Sequence, residues 1–165
     1  MSGKQGAVTT IRGGLIAAGG QHQLIAIALL QKFDLAVGMV AVRGRLGEAS
    51  VSSADLLEAA LRMRPDRIIM GENRGVEALS YLRAVNTGHP GSISTIHASS
   101  PSGAIEQLAL IVGQSGSDLR RSETVAYIRS TIDLIVQLGR GDGQRNVTAI
   151  QFPLGTNEPS QLSPV

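Results

Sequence analysis

Three features of the chain predict an α/β fold. The first is the stretch Leu61 to Ala98, which holds two short apolar runs, Arg67-Ile68-Ile69-Met70-Gly71 and Ser92-Ile93-Ser94-Thr95-Ile96. Between them, Val76 to Val85 places Ala78, Leu79, Leu82 and Val85 at helical spacing and closes on Asn86 and Gly88, so the stretch reads as strand, helix, strand. The second is the pair of continuous apolar runs at Gln23 to Leu30 and Leu35 to Val42, the pattern of strands covered on both faces. The third is the recurrence of helix signals between such runs. The expected architecture is a mainly parallel sheet with a terminal antiparallel hairpin.

The elements follow in order. Met1 to Gly20 contains a possible helix with Ile11, Leu15 and Ile16, weakened by four glycines between Gly13 and Gly20. Gly44 to Ser50 reads as a loop. Ser52 or Ser53 caps a helix reaching about Met63, and Asp55 follows Ser52 at capping-box spacing. Leu56, Leu57, Ala60 and Leu61 form its apolar face, and Pro65 ends it. Ser99-Ser100-Pro101 starts another helix with a serine cap and a proline in the first turn. Ile105, Leu108, Ala109 and Val112 make its buried stripe, and Gly113 to Gly116 breaks the pattern. A further helix begins at Ser122 with Val125 and Ile128. Thr131 to Leu138 and Asn146 to Phe152 read as the strands of the hairpin, with Asp142-Gly143 supplying turn chemistry. Residues 1–152 are expected to form one domain, and Pro153 to Val165, rich in Pro, Ser and Asn, a disordered tail.

Composition removes several classes of function. The 165 residues suit one domain with a real core. A net charge of +2, with no lysine or arginine run longer than a pair, gives no electrostatic footprint for nucleic acid. The absence of tryptophan and scarcity of other aromatics argue against base stacking. With no cysteine there is no disulfide, no zinc thiolate site and no thiol nucleophile. No apolar stretch reaches the roughly 20 residues of a membrane-spanning helix.

Each strand of the strand–helix–strand unit ends on a polar group, Glu72 and His97. In open α/β sheets, ligands sit outside the carboxyl ends of parallel strands. The plainer roles are an acid capping the following helix beside Arg74 and Gly75, and a hydrogen-bonded histidine. His89, within Gly88-His89-Pro90-Gly91-Ser92, is expected to fix its turn. No third ligand is spaced to make His89 and His97 a metal site.

Longer patterns carry a resemblance. Leu61 to Glu72 (LRMRPDRIIMGE), Arg74 to Leu79 (RGVEAL), Asn86 to Ser92 (NTGHPGS), Thr95 to Ala98 (TIHA) and Ala104 to Val112 (AIEQLALIV) occur in the order found in the type II/IV secretion ATPases. Gly38 to Glu48 and Thr131 to Arg140 match more weakly. The wording is most similar to the type IV secretion and conjugative-transfer branch. The resemblance implies a RecA-like P-loop NTPase domain that binds ATP with Mg2+. It implies a hexamer at the cytoplasmic face of the inner membrane, working with secretion-system components there to power substrate export. No sequence-specific nucleic-acid binding is expected. By length the chain reads as the carboxyl-terminal domain alone, clipped at its start.

The resemblance assigns roles residue by residue. Glu72 corresponds to the acid that holds magnesium through water or polarises the attacking water, and His97 to the residue that senses the terminal phosphate. Among Arg62, Arg64 and Arg74, one or two are expected to meet a nucleotide, as arginines do across subunit boundaries; ion pairing with Glu58, Asp66 and Glu77 is the alternative. Gly3 and Lys4, in Ser2-Gly3-Lys4, resemble the end of a P-loop, and Thr9 and Thr10 the hydroxyl pair that follows it.

Two departures stand beside these matches. Gln5 occupies the position after Lys4, and the threonines come four residues late. The strand at Leu24 to Ile27 is followed by Ala28-Leu29-Leu30-Gln31-Lys32-Phe33, where the family has an acidic box. Two readings therefore stand: an ATP-hydrolysing secretion motor, and a catalytically impaired RecA-like module that serves assembly.

Overall fold

The computed structural model describes residues 6–11, 14–16, 25–30, 35–41, 51–141, 144–154 and 160–161. Among the described residues, nine strands form one sheet: β1 (Gly6–Ile11), β2 (Gly14–Ile16), β3 (Ile25–Leu30), β4 (Leu35–Val40), β5 (Arg67–Met70), β6 (Ile93–Ile96), β7 (Leu134–Gly141), β8 (Gln144–Gln151) and β9 (Ser160–Gln161). Four helices accompany them among the described residues: α1 (Ser53–Arg62), α2 (Glu77–Gly88), α3 (Pro101–Gln114) and α4 (Arg121–Thr131). The strands lie in the order β4-β3-β5-β6-β1-β7-β8-β9, with β2 paired to β1.

Local signals set the helix ends. The Ser52 hydroxyl accepts from the Asp55 backbone N–H at 3.2 Å, and the Asp55 carboxylate accepts from the Ser52 backbone N–H at 2.8 Å. This capping box starts α1 where the sequence predicts. The Ser52 hydroxyl, which donates to the Asp55 carboxylate at 2.7 Å, and after it the Ser52 backbone N–H hold the Asp55 carboxyl below its ordinary value. Arg64, at φ 51°, turns the chain away after α1. The Ser100 hydroxyl accepts from the Gly103 N–H at 3.0 Å, and Pro101 opens α3.

The parallel βαβ unit is present, and its strand β5 is central. It pairs with β3 on one side and β6 on the other, the latter in parallel with Ile69 opposite Ile93. Ile68 and Met70 are buried and Ile69 is half-buried. One hydrophobic core joins Leu57 of α1, Ile68 and Met70 of β5, Tyr81 and Leu82 of α2, Ile96 of β6, Ile105 and Leu108 of α3, Ile128 of α4 and Ile135 of β7.

Three expectations are corrected. The sheet is mixed: among the described strands, β5–β6 is the parallel pair, and the other pairings are antiparallel. A parallel pair needs a crossover of about a dozen residues or more. The segment between β5 and β6, which contains α2, provides one, whereas residues 12–13, 31–34 and 142–143 are long enough only for hairpins. The possible helix with Ile11, Leu15 and Ile16 is instead the antiparallel pair β1–β2, with Thr9 opposite Ile16. The β-branched run Val8-Thr9-Thr10-Ile11 favours extended backbone, and the glycines after it disfavour a helix. Thr131, expected to begin a strand, is the last residue of α4. In the tail, Ser160 and Gln161 lie beside β8, while 155–159 and 162–165 fall outside the described residues. So does the loop expected at Gly44 to Ser50.

Candidate functional site at the carboxyl ends of β5 and β6

Parallel pairing sends β5 and β6 out of the sheet at the same end, and this brings Glu72 and His97 together. His97 Nε2 lies 3.1 Å from Glu72 Oε1, and Arg74 Nη2 lies 2.6 Å from Glu72 Oε2. The Glu72 side chain is 8% exposed, against 47% for His97 and 57% for Arg74. A nearly buried carboxylate thus has both oxygens engaged by groups that reach solvent. Glu72 raises the pKa of the Arg74 guanidinium above its ordinary value, by hydrogen bonding first and charge second.

The backbone beneath the cluster is tied to β6. The Asn73 N–H donates to the Thr95 carbonyl at 3.0 Å, and Asn73 Nδ2 donates to Ser94 Oγ at 2.8 Å. The Thr95 hydroxyl donates to the Gly71 carbonyl. After His97, Gln137 Nε2 of β7 donates to the Ala98 carbonyl at 3.4 Å. Asn73 Oδ1 is buried without a hydrogen-bond partner.

The other candidates are distributed differently. Arg62 pairs with Glu58 one turn away on α1, both side chains exposed. Arg64 is exposed and, like Arg62, precedes the amino end of β5, so the strand separates both from Glu72 within one chain. Gly3 and Lys4 lie outside the described residues. Thr9 and Thr10 sit in the middle of a strand, although a P-loop hydroxyl belongs at the start of a helix. Ala7 faces Ile96 and Val8 faces Thr95, so Thr9 and Thr10 lie farther towards the start of β6, away from His97. His89 fixes its turn as expected, with Nδ1 2.6 Å from the Pro65 carbonyl at the opposite end of β5. Gly91 in that turn has φ 85°, a conformation that favours glycine.

Asn73, Glu77 and Ser94 shape the cluster and are not evident from sequence patterns. For Ser94 the available signal was a second serine, Ser92, two residues before it in the run leading into β6; both are fully buried. Among the described residues no group of three or more His, Cys, Asp or Glu side chains could hold a metal ion. None of their helices is long and apolar enough to cross a membrane.

The fold and the cluster define an α/β domain with an acid, an imidazole and a guanidinium gathered where such sheets bind ligands. Residues 35–151 match the family described as Type II/IV secretion system protein, and the chain belongs to that family. It is 47% identical over 118 residues to the type IV secretion system protein VirB11 of Bartonella quintana, a match covering 70% of this chain and 33% of that protein. It is 41% identical over 116 residues to the type IV secretion system protein PtlH of Bordetella pertussis, covering 67% of this chain and 34% of that one. The crystal structure of the VirB11 ATPase from the Brucella suis type IV secretion system, in complex with sulphate, aligns with a TM-score of 0.58 at 33% identity. That alignment covers 62% of this chain and 32% of the other. The chain spans about a third of the length of these relatives.

Proposed function

We propose that the Glu72–Arg74–His97 cluster is the catalytic end of a nucleotide site. The chain then contributes the RecA-like portion of an ATP-driven motor for type IV secretion or conjugative transfer. The observation that supports this reading is the meeting of all three side chains at the carboxyl ends of adjacent parallel strands. Family membership supplies the substrate class, since the Brucella suis relative is an ATPase.

ATP with Mg2+ supplies the anhydride bond that is broken and the charge that offsets the phosphates. Glu72 accepts from water, holding the magnesium shell or orienting the attacking water. Magnesium suits a single carboxylate, because it keeps several waters and takes its other ligands from phosphates. His97 presents Nε2 at the same place to read the terminal phosphate, and Arg74, more than half exposed, is placed to answer negative charge. Arg62 and Arg64 remain candidates only across a subunit boundary, in a hexamer at the cytoplasmic face of the inner membrane. Gly3 and Lys4 are the proposed phosphate grip. Thr9 and Thr10 lie mid-strand and are displaced from His97.

Those threonines, with the missing acids in Ala28 to Phe33, favour a second reading, an assembly module with impaired chemistry. Nucleotide titration beside single-turnover phosphate release, for this chain and Glu72→Gln, separates the two. Magnesium-dependent release that Glu72→Gln abolishes supports the motor. Binding without release supports the impaired module. Absence of binding in both proteins overturns the nucleotide-site reading.

A further inference from the structure

We infer that Glu77 is a positioning residue for Glu72. Its carboxylate fixes the turn between β5 and α2, and so sets where Glu72 and Arg74 meet His97. This rests on the reading of Glu72 as the acid of a nucleotide site.

Glu77 is the first residue of α2 and is only 6% exposed. An acid in a first helical turn usually stays in water and gains modestly from the helix dipole. This one is buried, which is costly for a carboxylate unless hydrogen bonds compensate. The compensation points backwards: Glu77 Oε1 accepts from the Arg74 N–H at 2.9 Å and the Gly75 N–H at 3.0 Å. The same turn is pinned again where the Ala78 N–H donates to the Gly75 carbonyl at 3.1 Å. Space is shaped to the carboxylate, since a Cβ on Gly75 would stand 3.1 Å from Glu77 Oε2.

Glu72 therefore belongs to a segment held from two sides. Asn73 is tied to β6 through Thr95 and Ser94, and Arg74 and Gly75 are tied to Glu77. Bonds from backbone N–H to a carboxylate are stronger than neutral ones. Without them the Arg74 backbone loses its anchor, and with it the guanidinium that closes on Glu72. Glutamine at position 77 keeps an oxygen able to accept both bonds, whereas alanine keeps none.

The test uses the full chain with side-chain 15N-labelled histidine, in Glu77→Ala, Glu77→Gln, Gly75→Ala and Glu72→Gln. The resonance of His97 Nε2 at fixed pH reports its contact with Glu72. Exchange of the Arg74 and Gly75 amides reports the turn. In Glu77→Ala these amides should exchange on the order of tenfold faster or more. The His97 resonance should move most of the way to its position in Glu72→Gln. Glu77→Gln should restore both readouts. Gly75→Ala presses on the same carboxylate and should shift them in the same direction, which serves if Glu77→Ala does not fold. A folded Glu77→Ala, or a folded Gly75→Ala in its place, with both readouts at wild-type values overturns the inference. So does an equal disturbance in Glu77→Ala and Glu77→Gln. Failure of the nucleotide-site reading is separate: phosphate release and nucleotide binding would ignore Glu72→Gln while the His97 resonance still responded.

Discussion

The two ends of strand β5 are held by opposite chemistry. At the amino end the partners are a hydroxyl, an imidazole and backbone groups. Ser92 Oγ donates to the His89 carbonyl at 2.7 Å and accepts from the Ile68 N–H at 3.0 Å, while His89 meets the Pro65 carbonyl. At the carboxyl end Glu72 faces Arg74 and His97, and Glu77 holds the turn behind them. The first arrangement closes backbone valences and leaves nothing to react. The second gathers charges whose partners reach solvent and can exchange one contact for another. The difference teaches that one strand can carry compact backbone fixation at its start and a cluster of solvent-reaching polar groups at its finish.

Substitutions can break or sharpen this division. The largest effect is expected where both ends share support. Leu82 of α2 is fully buried in the core beneath the unit, and Leu82→Ala should cost about 2–5 kcal/mol. Denaturant unfolding should show that loss, together with faster amide exchange at both ends of β5. Next is the amino end alone. Ser92→Ala strands a buried acceptor and a buried donor, and should cost about 1–3 kcal/mol. Nucleotide affinity of the folded protein should not change; a large change would mean that the ends are coupled.

A cap gives a smaller, local effect. Ser100→Ala removes the acceptor for the Gly103 N–H at the start of α3, for about 1 kcal/mol in unfolding experiments.

The smallest effect at neutral pH concerns Tyr81, which is fully buried with no hydrogen-bond partner for its hydroxyl. Burial pushes its phenol well above the ordinary 10.0. The phenol therefore stays protonated in the folded chain after it begins to ionise in the unfolded one. Below pH 10.0 it leaves stability unaffected, and as pH rises past that value stability falls. Tyr81→Phe should be near neutral at pH 7 and should flatten the alkaline decline in thermal melts.

Local grammar made much of this legible. The Ser52–Asp55 box, the Ser100-Pro101 start and the apolar run at Ile68 to Met70 each act within a few residues, and the structure agrees at each. β7 ends at Gly141 and β8 begins at Gln144, and Asp142-Gly143, expected to supply the turn, lie outside the described residues. The amino-terminal stretch was less legible because its glycines and β-branched residues send conflicting messages. A run such as Val8 to Ile11 takes its final form from its neighbours, here β6 and β7. The arginines were legible only as a group. Arg62, Arg64 and Arg74 lie within thirteen residues, yet β5 runs between the first two and the third.

By itself the sequence determined the strand–helix–strand unit, the acid and histidine that end its strands, and the family to which they belong. These are properties of short-range pattern: periodicity, caps and the residue types at strand ends. The tertiary structure decided that the sheet is mixed, that Arg74 and not Arg62 or Arg64 closes on Glu72, and that Glu77 turns inward. Each of those depends on which strand lies beside which and on which polar groups lose water together. Pairing and burial are set by the whole chain, and no window of a few residues contains them.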